Sequence, residues 1–226
     1  MISSYTKFVT ASFTQIAKVC FSNNANENHA NSVFTNIRHN IVNHIIGRMD
    51  LPDFLSTMIQ MYPILALDVF IGEGVEVKPQ LINAIKSRFD KKTSPFSNVD
   101  TQKTLEWCDN SEEDRYLKLA SIITPYQSNE GSIEWTPLAL EILENSLAPL
   151  IILEEFSFSM SSSSGSGSRA KKLESRLPLF QMLQTNTNKE ISSWATNEEK
   201  QWIGFIVSEY ERESERDTVR DERFEW

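Results

Sequence analysis

The sequence predicts an all-α protein built as a solenoid of stacked antiparallel helix pairs with a charged C-terminal helix. Three observations carry this. Apolar residues recur at helical spacing along most of the 226-residue chain, while strand-like alternation is scarce. Only seven Gly and eight Pro are present, too few for a sheet built on many tight turns. The periodic segments are short and joined by brief Pro-, Asn- and Asp-marked loops, which suits paired helices better than a four-helix bundle of fewer, longer ones.

The elements follow in order. Residues 32–49 place Phe34, Ile37, Ile41 and Ile45 on one face. Asp50-Leu51-Pro52 offers an N-cap with Pro in the first turn of a helix running to Met61. Tyr62-Pro63 restarts it, apolar nearly all round and therefore central, and Gly72-Glu73-Gly74 stops it. Residues 79–89 turn Leu81, Ile82, Ile85 and Phe89 inward. A loop at residues 91–98 follows, with Asp100 capping residues 101–108. Ser111-Glu-Glu-Asp114 reads as a capping box opening a helix with Tyr116, Ala120 and Ile123 on one side. Thr136-Pro137 and Ala148-Pro149 start two more helices. Beyond the tract Ser161-Ser-Ser-Ser-Gly-Ser-Gly-Ser168, one pattern carries Leu173, Leu177, Phe180 and Leu183, with Pro178 expected to bend or split it. Ile191, Trp194, Ala195, Trp202, Phe205 and Ile206 mark the last helix, whose apolar face ends near Ser208.

These patterns divide the chain into a helical-repeat domain, residues 1–208, and a charged helical tail, residues 209–226. The domain contains a loop at residues 159–168 and a sub-boundary near residues 91–99. The tail repeats acid-x-x-Arg as Glu209/Arg212, Glu213/Arg216 and Asp217/Arg220, spacings at which side chains pair along a helix.

From Leu105 onward the chain resembles the HEAT-like helical-repeat region that ends large bacterial proteins. The resemblance rests on Leu105-Glu-Trp107-Cys, Arg115-Tyr116 with Ala120, Thr136-Pro-Leu-Ala-Leu140 with Ile142-Leu143, and the Ser-Gly-Ser turn before Arg169. It continues through Arg176-Leu-Pro-Leu-Phe180, Ile191-x-x-Trp194-Ala195 and Arg220-Asp-Glu-Arg-Phe-Glu225. Where that family carries Trp before the Ser-Gly-Ser turn, this chain has Ser. The likeness implies a bacterial scaffold or recognition surface rather than chemistry. It also implies a short or separated form of a region otherwise attached to an effector domain.

Composition narrows the function classes. A net charge of −9 opposes general binding to nucleic-acid phosphates. Cys20 and Cys108 make neither a disulfide framework nor a metal cluster and read as buried reduced thiols. The N-terminus has no secretory pattern, and the apolar runs at residues 62–71 and 147–153 are too short or too charged to span a bilayer. An acidic cytoplasmic protein without a membrane segment is expected.

No catalytic residue, cofactor or metal site is predicted. His39 and His44 are five apart on one helix, His29 stands before it, and ligands sharing a helix face want spacings of three or four. A Gly-x-Ser-x-Gly elbow is absent, and Glu112-Glu113-Asp114 and Glu154-Glu155 fan out around their helices. Arg169, Lys171 and Lys172 after the Gly-rich turn form a candidate anion contact, without the Gly-Lys-Ser/Thr ending of a P-loop. Trp107, Trp194 and Trp202 are core candidates and Trp135 a staple at a helix entrance. Arg212, Arg216, Arg220, Phe224 and Trp226 are the candidate docking residues for a partner protein. The rival readings are a nucleic-acid-binding repeat using Lys86, Arg88, Lys91, Lys92 and residues 169–172, and an enzyme whose residues meet only in three dimensions.

Overall fold

A computed structural model describes residue 19 and residues 27–43, 52–86, 94–110, 114–129, 131–161 and 167–224, with the backbone alone for residues 52, 53, 98 and 220–224. Helix dominates: α1 (Glu27–Val42), α2 (Pro52–Met61), α3 (Pro63–Ile71), α4 (Pro79–Ile85), a 3₁₀ turn (Pro95–Asn98), α5 (Thr101–Asp109), α6 (Arg115–Ile122), α7 (Pro137–Asn145), α8 (Pro149–Ser161), α9 (Arg169–Glu174), α10 (Leu177–Gln184) and α11 (Lys189–Phe224). Between α6 and α7 lies a two-stranded antiparallel hairpin, β1 (Tyr126–Asn129) and β2 (Ser132–Trp135). The chain forms two compact units: residues 1–125 with 136–146, and residues 126–135 with 147–226.

In the first unit two expected helix starts are present in detail, while the Asp50 cap, Ile45 and Phe89 lie outside the described residues. Asp100 accepts from the Lys103 amide and Thr136 from the Ala139 amide, each satisfying an orphan donor of its helix. Gly72 ends α3 because the chain passes so close to Asp68 that a Cβ would lie 2.3 Å from the Asp68 carbonyl oxygen. Two expectations change. The α1 helix begins at Glu27, inside the Asn-rich stretch, so His29 is an exposed helical residue. Asp114, rather than Ser111, caps α6 by accepting from the Leu117 amide. The core carries an edge-on aromatic ladder, Phe34 to Phe70 at 5.8 Å and Phe70 to Phe96 at 6.1 Å between ring centres. Beside it the 3₁₀ turn is tied down polar group to polar group. The Ser94 amide donates to the Thr124 hydroxyl at 2.9 Å, and the Thr124 amide to the Ser97 hydroxyl at 2.8 Å.

Trp107 and Cys108 are buried as expected, and the Trp107 indole N–H donates to Asp68 at 2.7 Å. Cys20 lies outside the described residues. Burial, with Asp109 beside it, pushes the Cys108 thiol from 9.0 up to about 12. A shift of that size lowers the thiolate fraction near neutral pH about a thousandfold. Alkylation by iodoacetamide should therefore be slow in native protein and rise sharply with denaturant, tracking loss of the first unit. A fast native reaction at Cys108, read by peptide mass, would contradict this placement.

The hairpin was not expected. Its strands are short and mostly polar, so periodicity offered little signal; the two-residue loop with Gly131 at φ 92° was the available clue. Trp135, expected as a staple, sits on β2 facing pairing partner Tyr126. It is buried beside Phe156 at 5.8 Å, and its indole N–H donates to the Leu179 carbonyl. Arg176, also buried, stacks over Tyr126 and donates to the Met160 carbonyl.

Pro178 splits the expected helix into α9 and α10, taking the second position of α10, where a missing backbone donor costs little. The α11 helix is far longer than the two to four turns expected. It has 36 residues, about 54 Å, and passes position 208 without a break. Ile191, Ala195, Trp202 and Ile206 form its buried seam against α9 and α10. Phe180 sits at the centre of that packing, 5.2 Å from Trp202 and 6.0 Å from Trp194.

Candidate functional site

One expected docking residue, Arg212, and one expected anion contact, Arg169, meet on Glu209, where α11 crosses the start of α9. The buried seam of α11 does not end at Ser208. Glu209 and Glu213 follow Ile206 at steps of three and four, so the helix itself carries them onto the same face. Glu209 is 1% exposed and accepts from Arg169 at 3.2 Å and from Arg212 at 2.9 Å. The two arginines keep solvent access, 43% and 61% exposed, so the buried charge is compensated from its outer side. The Arg169 guanidinium also lies 5.2 Å from the centre of the Phe205 ring.

One turn on, Glu213 closes over the N-terminus of α9. It accepts from the Ser168 hydroxyl at 2.6 Å, the Arg169 amide at 2.5 Å and the Ala170 amide at 3.1 Å. Ser168 in turn accepts from the Lys171 amide. The start of α9 thus holds an anion, and that anion is a carboxylate of this chain. Tyr210 adds a third tie, donating to Glu174 at 2.7 Å, a bond that raises the phenol above its ordinary value.

The other candidates separate. Lys171 is exposed and Lys172 partly buried on α9. Arg216 is exposed and its charge favours ionised Glu213. Arg220 and Phe224 lie on α11 by backbone, with side chains outside the described ones, and Trp226 lies outside the described residues altogether. So do His44, Arg88, Lys91 and Lys92. His39 is exposed and lies 3.2 Å from the Asn43 amide nitrogen. Among the described residues no group of three or more His, Cys, Asp or Glu side chains is placed to hold a metal, and no single helix is long and apolar enough to cross a membrane.

A surface that periodicity missed lies on α8. That helix carries large apolar residues on more than one side, interrupted by Glu154, Glu155 and three serines. Only one side is covered: Ile152, Leu153, Phe156 and Met160 are buried. Leu147 just before it is 104% exposed, Ile151 50%, Phe158 66%, with Leu150 beside them. The signal in the sequence was the excess of large apolar residues over what one helix face holds.

No protein-family model, no curated protein and no solved structure matches this chain.

The Glu213 cap makes a pH prediction. The Ser168 hydroxyl first, then the Ala170 and Arg169 amides and the Arg216 charge, hold its carboxyl below its ordinary 4.5, against the opposing pull of burial. A carboxyl depressed in the folded state stabilises fully above its ordinary value and loses that contribution as pH falls through the folded value. Thermal melts should show Glu213→Gln less stable than wild type at neutral pH, with the two curves converging in acid below 4.5. Parallel curves would show that the cap is not formed.

Proposed function

We propose that this chain is a non-enzymatic scaffold that recognises another protein, with its helices stacked in the manner of HEAT-like repeats. The single observation that carries the reading is the exposed apolar stripe of α8, Leu147, Leu150, Ile151 and Phe158. A soluble helix with large side chains outside on one face and a packed core on the other is suited to burying that face against a partner. The cytoplasmic setting fits the buried free thiol of Cys108. The charged end of α11 adds a second exposed surface whose contribution is to orientation and partner choice more than to affinity.

The test compares partners recovered with full-length protein, a Leu147→Asp/Phe158→Asp double variant, and a chain ending at Arg216. The last form keeps Glu209, Arg212 and Glu213, so it removes the tail's outer turns without opening the α9 contact. Loss of the same partners in the double variant, with an unchanged circular dichroism spectrum, supports recognition through α8. Equal recovery by all three forms would sink the proposal for both surfaces.

A further inference from the structure

The α9 helix has six residues, Arg-Ala-Lys-Lys-Leu-Glu, too few to persist in water on its own hydrogen bonds. It packs chiefly on α11, and its ties fall along one stretch of that helix, from Trp202 to Glu213. At one end the Trp202 indole N–H donates to the Leu173 carbonyl, and at the other Glu213 takes the Arg169 and Ala170 amides. Between them Glu209 and the Phe205 ring hold the Arg169 guanidinium, and Tyr210 donates to Glu174. Ala170 and Leu173, the apolar side chains of α9, are buried. The short helix is therefore completed at both ends by the long one. The chain after it is fixed by other elements. Buried Arg176 reaches the Met160 carbonyl of α8 and stacks over Tyr126 of β1, and Phe180 seats α10 against Trp194 and Trp202. Past Ile206 the side of α11 that meets α9 is polar: Glu209, Tyr210 and Glu213.

We infer that residues 168–175 form a strap, hinged at Arg176 and latched by Glu209, Tyr210 and Glu213, which opens by unfolding α9 while α10 stays packed on α11. This stands apart from recognition through α8. Each latch bond is exchanged for a bond to water on release, so the strap opens at far lower cost than the whole unit unfolds. Opening bares Leu173 and the indole N–H of Trp202, and it leaves Arg169, Lys171 and Lys172 on an extended chain. The latch carboxylates belong to the charged end of α11. Whatever draws Glu209 and Glu213 away from α9 therefore shifts the strap towards its open form.

The experiment is native-state hydrogen exchange with limited trypsin digestion, on full-length wild type and Glu213→Ala at neutral pH. Trypsin can cut the strap after Lys171 and Lys172, and Lys200 within α11 is the reference site. In wild type the amides of Ala170, Lys172 and Ser175 are expected to exchange about tenfold faster than those of α10, through openings insensitive to low denaturant. Glu213→Ala should quicken these amides, and cleavage after Lys171 and Lys172, about tenfold further, with α10 and Lys200 unchanged. A uniform rise across α9, α10 and Lys200 would show the unit opening as one body and overturn the strap. Unchanged cleavage in Glu213→Ala would overturn the latch, and the inference with it. Wild-type α9 amides that share the rate and denaturant dependence of α10 overturn it without any variant, so that comparison decides if Glu213→Ala does not fold.

Discussion

Replacing Phe180 by alanine is expected to cost about 3–5 kcal/mol of stability. The ring is fully buried and touches Trp194 on one side and Trp202 on the other, so its removal opens a cavity bounded by two stiff indoles. Trp202 is kept from swinging in, anchored by its indole N–H to the Leu173 carbonyl at 3.1 Å. The cavity therefore stays open and the cost sits near the upper end of the range. Phe158→Ala is the internal control. It removes the same atoms from the same unit, but from a ring 66% exposed, and should change stability by no more than about 0.5 kcal/mol. Urea unfolding with hydrogen exchange read at α10 and α11 distinguishes the two. Similar losses for both would mean that α10 does not pack on α11 as described.

That contrast also shows what the sequence could and could not reveal. Phe180 was legible because its apolar neighbours recur at helical spacing, and the N-caps were legible because Asp100 and Thr136 stand directly before their helices. Burial on the far side of a pattern was not. The α8 sequence carries apolar residues on more than one side, and tertiary packing alone separates Phe156 inside from Phe158 outside. The hairpin escaped because Gln127, Ser128, Asn129 and Ser132 give its strands no apolar face; what holds them is backbone pairing plus Trp135 and Tyr126 at the base.

The candidate site was half legible for a similar reason. Arg169 and the Gly-rich turn announced an anion cradle, and Glu209 and Glu213 announced paired charges, but each was read within its own segment. Spacing along one helix pairs Glu209 with Arg212, and that pair is present. It says nothing of the separation of 40 positions between Arg169 and Glu209, which only tertiary packing spans. A carboxylate directly in register with Trp202 and Ile206 was the available hint that the seam continues through acids.

Glu209→Ala is expected to cost about 1–3 kcal/mol, less than a buried ion pair broken in a dry core. The lower figure follows from the exposure of its partners: Arg169 and Arg212 both reach water once released, so no stranded charge remains inside. What is lost is two charge-assisted hydrogen bonds and the packing of a side chain 1% exposed. Glu209→Leu then separates stability from position. It extends the apolar seam from Ile206 and frees the arginines equally, so it should recover most of what alanine loses. A stable Glu209→Leu protein would mean that Glu209 chiefly sets the register of α11 against α9, since a leucine seam tolerates sliding that a carboxylate held between two arginines does not. The register is readable directly: amide exchange at Arg169 and Ala170 should stay slow in wild type and quicken in Glu209→Leu, because Glu213 loses its fixed place over those donors. Unchanged exchange together with unchanged stability would leave Glu209 without either role.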